Sequence, residues 1–189
     1  KGARLATLQE EAKEEDTPPR WINHFYNPQT GEGWTADKLG SIPSNILSVF
    51  SGFALSSRKP ISAKNWAKNR SAQADYELYE GDQTWQKAID FYIAGDKKSA
   101  YIALGHILHL IEDMTVPDHT RGDTHAGIFG DKGSPYENWA KSYNIGKMQK
   151  LTIAEDLTRS GTKPKEFLLL ENYFDWNAKY SSENFFSED

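Results

Sequence analysis

The run "ALGHILHLIEDMTVPDH", residues 103–119, sets three of the chain's five histidines, an acid pair and a proline into an otherwise apolar segment. The pattern fits a helix over 97–116, which Pro117 should end. At about 100° per residue, His106, His109 and Asp113 fall within a sector of about 60°. Ile102, Ala103, Leu104, Ile107, Leu108, Leu110 and Ile111 fill the rest of the circumference. A helix apolar all round is buried, and a buried imidazole or carboxylate without a partner is costly. His109 and Asp113 therefore require partners, either hydrogen-bonding groups of the core or a metal ion.

The neighbouring residues favour the ion. A helix ending near Val116 puts His119 just past its C-terminus, with Asp123 and His125 following in a Gly-rich loop over 120–133. Imidazoles and carboxylates are the usual zinc ligands in a chain without cysteine, and this chain has none. His106 shares the face but also suits a core position or support behind a ligand. Glu112 is expected to face elsewhere. In "SPYENW", 134–139, Ser134, Pro135 and Glu137 have the spacing of a capping box, a structural role for Glu137.

Outward from this segment the chain reads as helix after helix, at about 63–80, 83–94, 135–146 and 165–180, with residues 4–15 helical and acidic. Strand alternation and internal repeats are absent, so the expected class is all-α. The 189 residues suit one domain. No apolar run reaches the ~18 residues that span a bilayer, and the residues from Lys1 onward do not read as a signal peptide. The net charge of −5 argues against a stable nucleic-acid complex. A basic stretch, Arg58, Lys59, Lys64, Lys68 and Arg70, reads as a solvated helix face or a phosphate-attracting patch. The apolar 44–55 segment, "SNILSVFSGFAL", is either local core or a peripheral membrane contact.

Four ordered segments resemble the zinc-dependent phospholipase C family and, more distantly, the single-strand-specific nucleases. The family pattern of HFYDP, LGxxxHxxxDxxxPxH and HSxYEN is similar to "HFYNP" at 24–28, "LGHILHLIEDMTVPDH" at 104–119 and "GSPYENW" at 133–139, with an acidic residue upstream. The resemblance implies an all-α metal-binding domain in which His24, His109 and Asp113 hold one zinc. Asp16, with Glu15 next in line, contacts its water; Asp16 also suits an N-cap for the turn at Pro18. His119 and Glu137 are implied ligands of a second zinc.

The departures are specific. Gly133 stands where the family has a histidine, and His125 is the expected replacement, with Asp123 as fallback. The family's third zinc uses an amino-terminal tryptophan and a nearby histidine that this chain lacks. The domain, 1–189, is thus expected to be incomplete at both ends. An insertion over about 35–62 and the missing Gly-Gly-Asn of the nucleases favour the phospholipase branch.

The chemistry implied is zinc-dependent hydrolysis of a phosphodiester, most simply a phospholipid, with two or three zinc ions lowering the pKa of water from ~15.7 towards 7. Asp113 is expected to bridge metals, Asp16 to orient or deprotonate water, and activity to fall below about pH 6.5 as histidines protonate. The resemblance also implies a secreted or periplasmic setting. A nuclease or phosphatase on the same scaffold, and a metal-stabilised module without turnover, are the alternative readings.

Overall fold

A computed structural model describes residues 15–16, 20–34, 60–74, 81–123, 133–142 and 168–187. A 3-10 turn, Arg20–Asn23, precedes seven α-helices among the described residues: α1 Ala63–Trp66, α2 Arg70–Ala74, α3 Trp85–Ile93, α4 Lys97–Asp113, α5 Pro117–Arg121, α6 Pro135–Ser142 and α7 Leu170–Asn184. The described part is all-α. None of its helices is long and apolar enough to cross a membrane. Residues 4–14, the 44–55 segment and His125 lie outside the described residues.

The α3–α4 hairpin is the most extensive helix pair in the described structure. Thr84 opens α3 by accepting from the Lys87 N–H, and Asp96 opens α4 by accepting from Ser99 N–H at 3.1 Å. Between them Gly95 takes φ 85°, the left-handed position that ends a helix without steric cost. Along α4, Ala100, Ala103, Ile107, Leu110 and Met114 form a buried stripe at steps of three and four. Ile107, Leu110 and Met114, the last just past the end of α4, pack with Tyr26, Trp66, Ala67, Phe174 and Ala178, bringing α1 and α7 into one core. A fully buried Phe174 contributes about 1.5–3 kcal/mol in apolar transfer.

Two expectations for this region need correction. α4 ends at Asp113, three residues before Val116, and Pro117 opens α5 at its first turn. Proline suits that position because the N–H it lacks has no intrahelical partner there. His119 therefore sits within a short helix, not in a loop. Nor is α4 buried all round: Leu108 and Glu112 are exposed and Ile102, Leu104 and Ile111 half-buried.

A smaller cluster of Ile22, Phe25 and Trp34, with Trp21 against it, packs the segment that carries His24. That segment is extended and tied at both ends. Tyr26 N–H donates to His119 O at 3.0 Å, and Ala63 N–H donates to Phe25 O at 3.0 Å. Gly33 lies so close to the Ile61–Ser62 backbone that a Cβ there would meet it at 2.8 Å. The basic stretch is a paired surface. Lys64 reaches Asp175 and Tyr26, Lys68 reaches Glu171, and Arg70 reaches Asp82 and Asp90; Arg58 and Lys59 fall outside the described residues.

Candidate metal centre

Three elements deliver the donors. The extended segment after the 3-10 turn carries His24. The last turn of α4 carries His109 and Asp113 one helical turn apart. Asp16 enters from the irregular chain before the turn. His24 Nδ1 lies 3.0 Å from Asp113 Oδ2 and 3.6 Å from Asp16 Oδ1. His109 Nε2 lies 3.3 Å from Asp16 Oδ1 and 3.4 Å from Asp113 Oδ2. Two ligand atoms at zinc–ligand bonds of about 2.0–2.2 Å in a tetrahedron stand about 3.3 Å apart. The four separations scatter around that value.

The polar accounting agrees. His24 Nε2, His109 Nε2 and Asp113 Oδ2 are buried with no hydrogen-bond partner. The approaches to Asp113 Oδ2 are close but not aligned as hydrogen bonds. Buried groups left in this state normally cost free energy, and a cation at the centre would satisfy His109 Nε2 and Asp113 Oδ2 together. Two groups, Asp16–His24–His109 and His24–Asp113–His119, converge closely enough to hold a metal ion, and His24 belongs to both.

Charge in the metal-free site follows from burial and neighbours. Desolvation raises the Asp113 carboxyl, but His119, His24 and His109 outweigh it and hold the group below the usual carboxylate range. Desolvation lowers His109, but Asp16 beside it, with Asp113 and Glu15, raises it to about 9. A proton thus occupies the imidazole whose lone pair a metal would need. Competition from protons begins well above the pH 6.5 expected of an ordinary histidine.

His119 stands at the edge. Its Nδ1 is 3.5 Å from Asp113 Oδ2 and 3.3 Å from His24 O, while Nε2 is 3.8 Å from Glu137 Oε1. The tautomer decides its use. With the hydrogen on Nδ1, donated to the His24 carbonyl, Nε2 faces Glu137 with its lone pair. With Nδ1 bare, it joins His24 and Asp113. Phe25 stacks on the ring at 4.9 Å and 12°.

Glu137 also has its structural role: Ser134 Oγ accepts from the Glu137 N–H at 3.2 Å and donates to Asp118 Oδ2 at 2.7 Å. Asp123 is buried, with its N–H on Asp118 O, and joins neither converging group. Asp113 Oδ2 lies 3.0–3.5 Å from a ring nitrogen of each of the three histidines His24, His109 and His119. Glu112 is exposed, as expected.

Behind the donors lies a buried carboxylate held by three side chains. Glu15 is fully buried and receives Arg20 Nε at 2.7 Å, Trp66 Nε1 at 2.6 Å and His106 Nδ1. His106 therefore faces a carboxylate, not the donor cluster. Arg20 is itself held by Gly81 O and Gln73 Oε1, both at 3.1 Å. Polar residues at 15, 20, 73 and 106 follow no period; of the four, His106, as support behind a ligand, and Glu15, as an upstream acid, were candidates from the sequence.

No protein-family model matches the chain, and no curated protein matches it. The resemblance to the phospholipase C family rests on the quoted sequence segments alone.

Proposed function

We propose that the chain is a zinc-dependent phosphodiester hydrolase of the phospholipase C kind, acting on a phospholipid headgroup. The observation that carries this reading is the approach of each carboxylate, Asp16 and Asp113, to both His24 and His109, at 3.0–3.6 Å for the four histidine–carboxylate pairs, within the range of neighbouring ligands on one small cation. Zinc, when bound by these residues, supplies a sink for the negative charge of the phosphoryl oxygens and makes water a nucleophile at neutral pH.

The chain's own groups divide the remaining work. Asp113 stays anionic and holds charge at the back of the site, where it is buried. Asp16, with a side chain 63% exposed, is the carboxylate that meets solvent. It orients the attacking water and takes its proton as the oxygen adds to phosphorus; the P–O bond to the glycerol oxygen breaks, and the departing alkoxide takes up a proton, leaving a phosphorylated headgroup and an alcohol. Phe25, Ile22 and Trp34 close the far side of the His24 segment to water. Glu137, next to His119 and 31% exposed, lies where a second ion or the substrate would meet the site.

The test is hydrolysis by the zinc-loaded chain of a chromogenic phosphodiester, phosphatidylcholine vesicles and single-stranded DNA. Zinc-restored release of a phosphorylated headgroup, abolished by a chelator and by Asp16→Asn, is expected. Preference for DNA would move the chain to the nuclease reading. Zinc uptake with no turnover on any of the three would leave a metal-stabilised module and overturn the hydrolase.

A further inference from the structure

The clamp around Glu15 lies outside the donor cluster but adjoins it through the chain. Three donors from three elements grip this one carboxylate: Arg20 of the 3-10 turn, Trp66 of α1 and His106 of α4. Gln73 of α2 holds Arg20 from behind, and Gln73 Nε2 donates to Trp66 O at 2.7 Å, closing the network on itself. Arg20 also lies over the Trp66 ring, 5.0 Å from its centre. A buried carboxylate survives in an interior only when such partners surround it.

The next residue is the most exposed member of the donor cluster. Asp16 has a side chain 63% open to solvent, yet its Oδ1 stands 3.3 Å from His109 Nε2. Neither Glu15 nor Asp16 belongs to a helix. Asp16 sits in a turn, whereas His109 and Asp113 ride on α4. A donor outside a helix has more backbone freedom to lose on meeting a cation, and that loss weakens binding. Anchoring the residue before it removes that loss in advance. Glu15 Oε1 also approaches His24 Nε2, but at 3.9 Å the gap is too long for a hydrogen bond. The coupling runs through the chain to Asp16.

We propose that Glu15 is a positioning residue for the cation site, fixing Asp16 through a clamp built from Arg20, Trp66 and His106. This rests on the reading of the cluster as a metal centre. It assigns the buried acid and its partners a role in ligand affinity as well as in the fold.

Zinc titration of the metal-free full chain against a chromophoric chelator tests it, using wild type, Glu15→Gln, Asp16→Asn and the double variant. Circular dichroism checks the helices of each. Loss of a partner behind a ligand typically weakens metal binding by roughly 10–100-fold, and that is the loss expected for Glu15→Gln. In the Asp16→Asn background the same change should cost less than about twofold, because residues acting through one another are not additive. Full affinity in Glu15→Gln, or an equal loss in both backgrounds, overturns the proposal, since a merely structural clamp would lower the melting temperature alone. If Glu15→Gln loses its helices, Trp66→Phe removes one donor and keeps a ring. It should show a smaller loss that also vanishes with Asp16→Asn, and unchanged affinity there overturns the proposal too. A wild type that takes up no zinc overturns the metal reading along with this one. A wild type that binds zinc while the variants match it overturns this one alone.

Discussion

His24 Nδ1 stands 3.0 Å from Asp113 Oδ2, joining an extended segment to the last residue of α4. Because His24 belongs to both converging groups, its removal should be felt by both. His24→Ala is expected to abolish tight zinc binding. Asp16→Asn and His119→Ala should each impair only the group that contains them. Each loss of a direct donor should exceed the roughly 10–100-fold typical of a partner behind a ligand. Elemental analysis after dialysis reads the result, and zinc retained by His24→Ala would refute the assignment.

Zinc uptake should release a proton. His109, raised to about 9 in the metal-free site, is protonated at neutral pH and must give up that proton to coordinate. About one proton from His109 per zinc is expected near pH 7, falling to none above pH 9, read with an indicator dye in weak buffer. The sign for stability follows. A folded pKa above the ordinary 6.5 stabilises the metal-free fold fully below 6.5, and the contribution is lost as pH rises through about 9. Melting of the chelator-treated chain should therefore drop across that window. His109→Ala should flatten the drop.

Acid should act through Glu15. Burial raises this carboxyl, but the His106 hydrogen bond and the charges of Arg20, His106 and His24 prevail and lower it from 4.5 to about 2. Its contribution is present above pH 4.5 and lost as pH falls towards 2. A shift of that size corresponds to about 3 kcal/mol. Denaturant midpoints measured down that range should fall steeply in wild type and less in Glu15→Gln.

Gly33→Ala should destabilise the fold although alanine is barely larger. The new Cβ would meet the Ile61 carbonyl carbon and oxygen and Ser62 N at 2.8 Å, all backbone atoms that cannot swing aside. Overpacking of this kind costs about 1–3 kcal/mol, or roughly 2–12 °C in melting temperature at this chain length. At Gly31 a Cβ meets nothing within 4 Å, so Gly31→Ala costs only the strain of its φ of 78°. A larger loss at Gly31 than at Gly33 would contradict this account.

The helical class was legible because α3, α4 and α7 carry a period, and the His109–Asp113 pair because four residues make one helical turn. Pro117 was ambiguous for a physical reason. The same ring that ends a helix is preorganised to begin one, and the choice went to α5. The donors His24 and Asp16 became visible only through the order of short motifs, since their contacts with α4 span about half of the chain. Glu15, Arg20, Gln73 and Trp66 meet through side chains at unrelated spacings, and such a network leaves no period to read. His125 and the 44–55 segment lie outside the described residues, so the structure does not speak to either expectation.

Arg121, two residues after His119, donates through Nη2 to Ser182 O at 2.9 Å and Phe185 O at 2.7 Å, at the end of α7. The helix that carries His119 is thereby tied to chain 61 and 64 residues downstream of Arg121. Fraying at the end of α7 would therefore reach His119 before it reaches His109 or Asp113, which ride on α4.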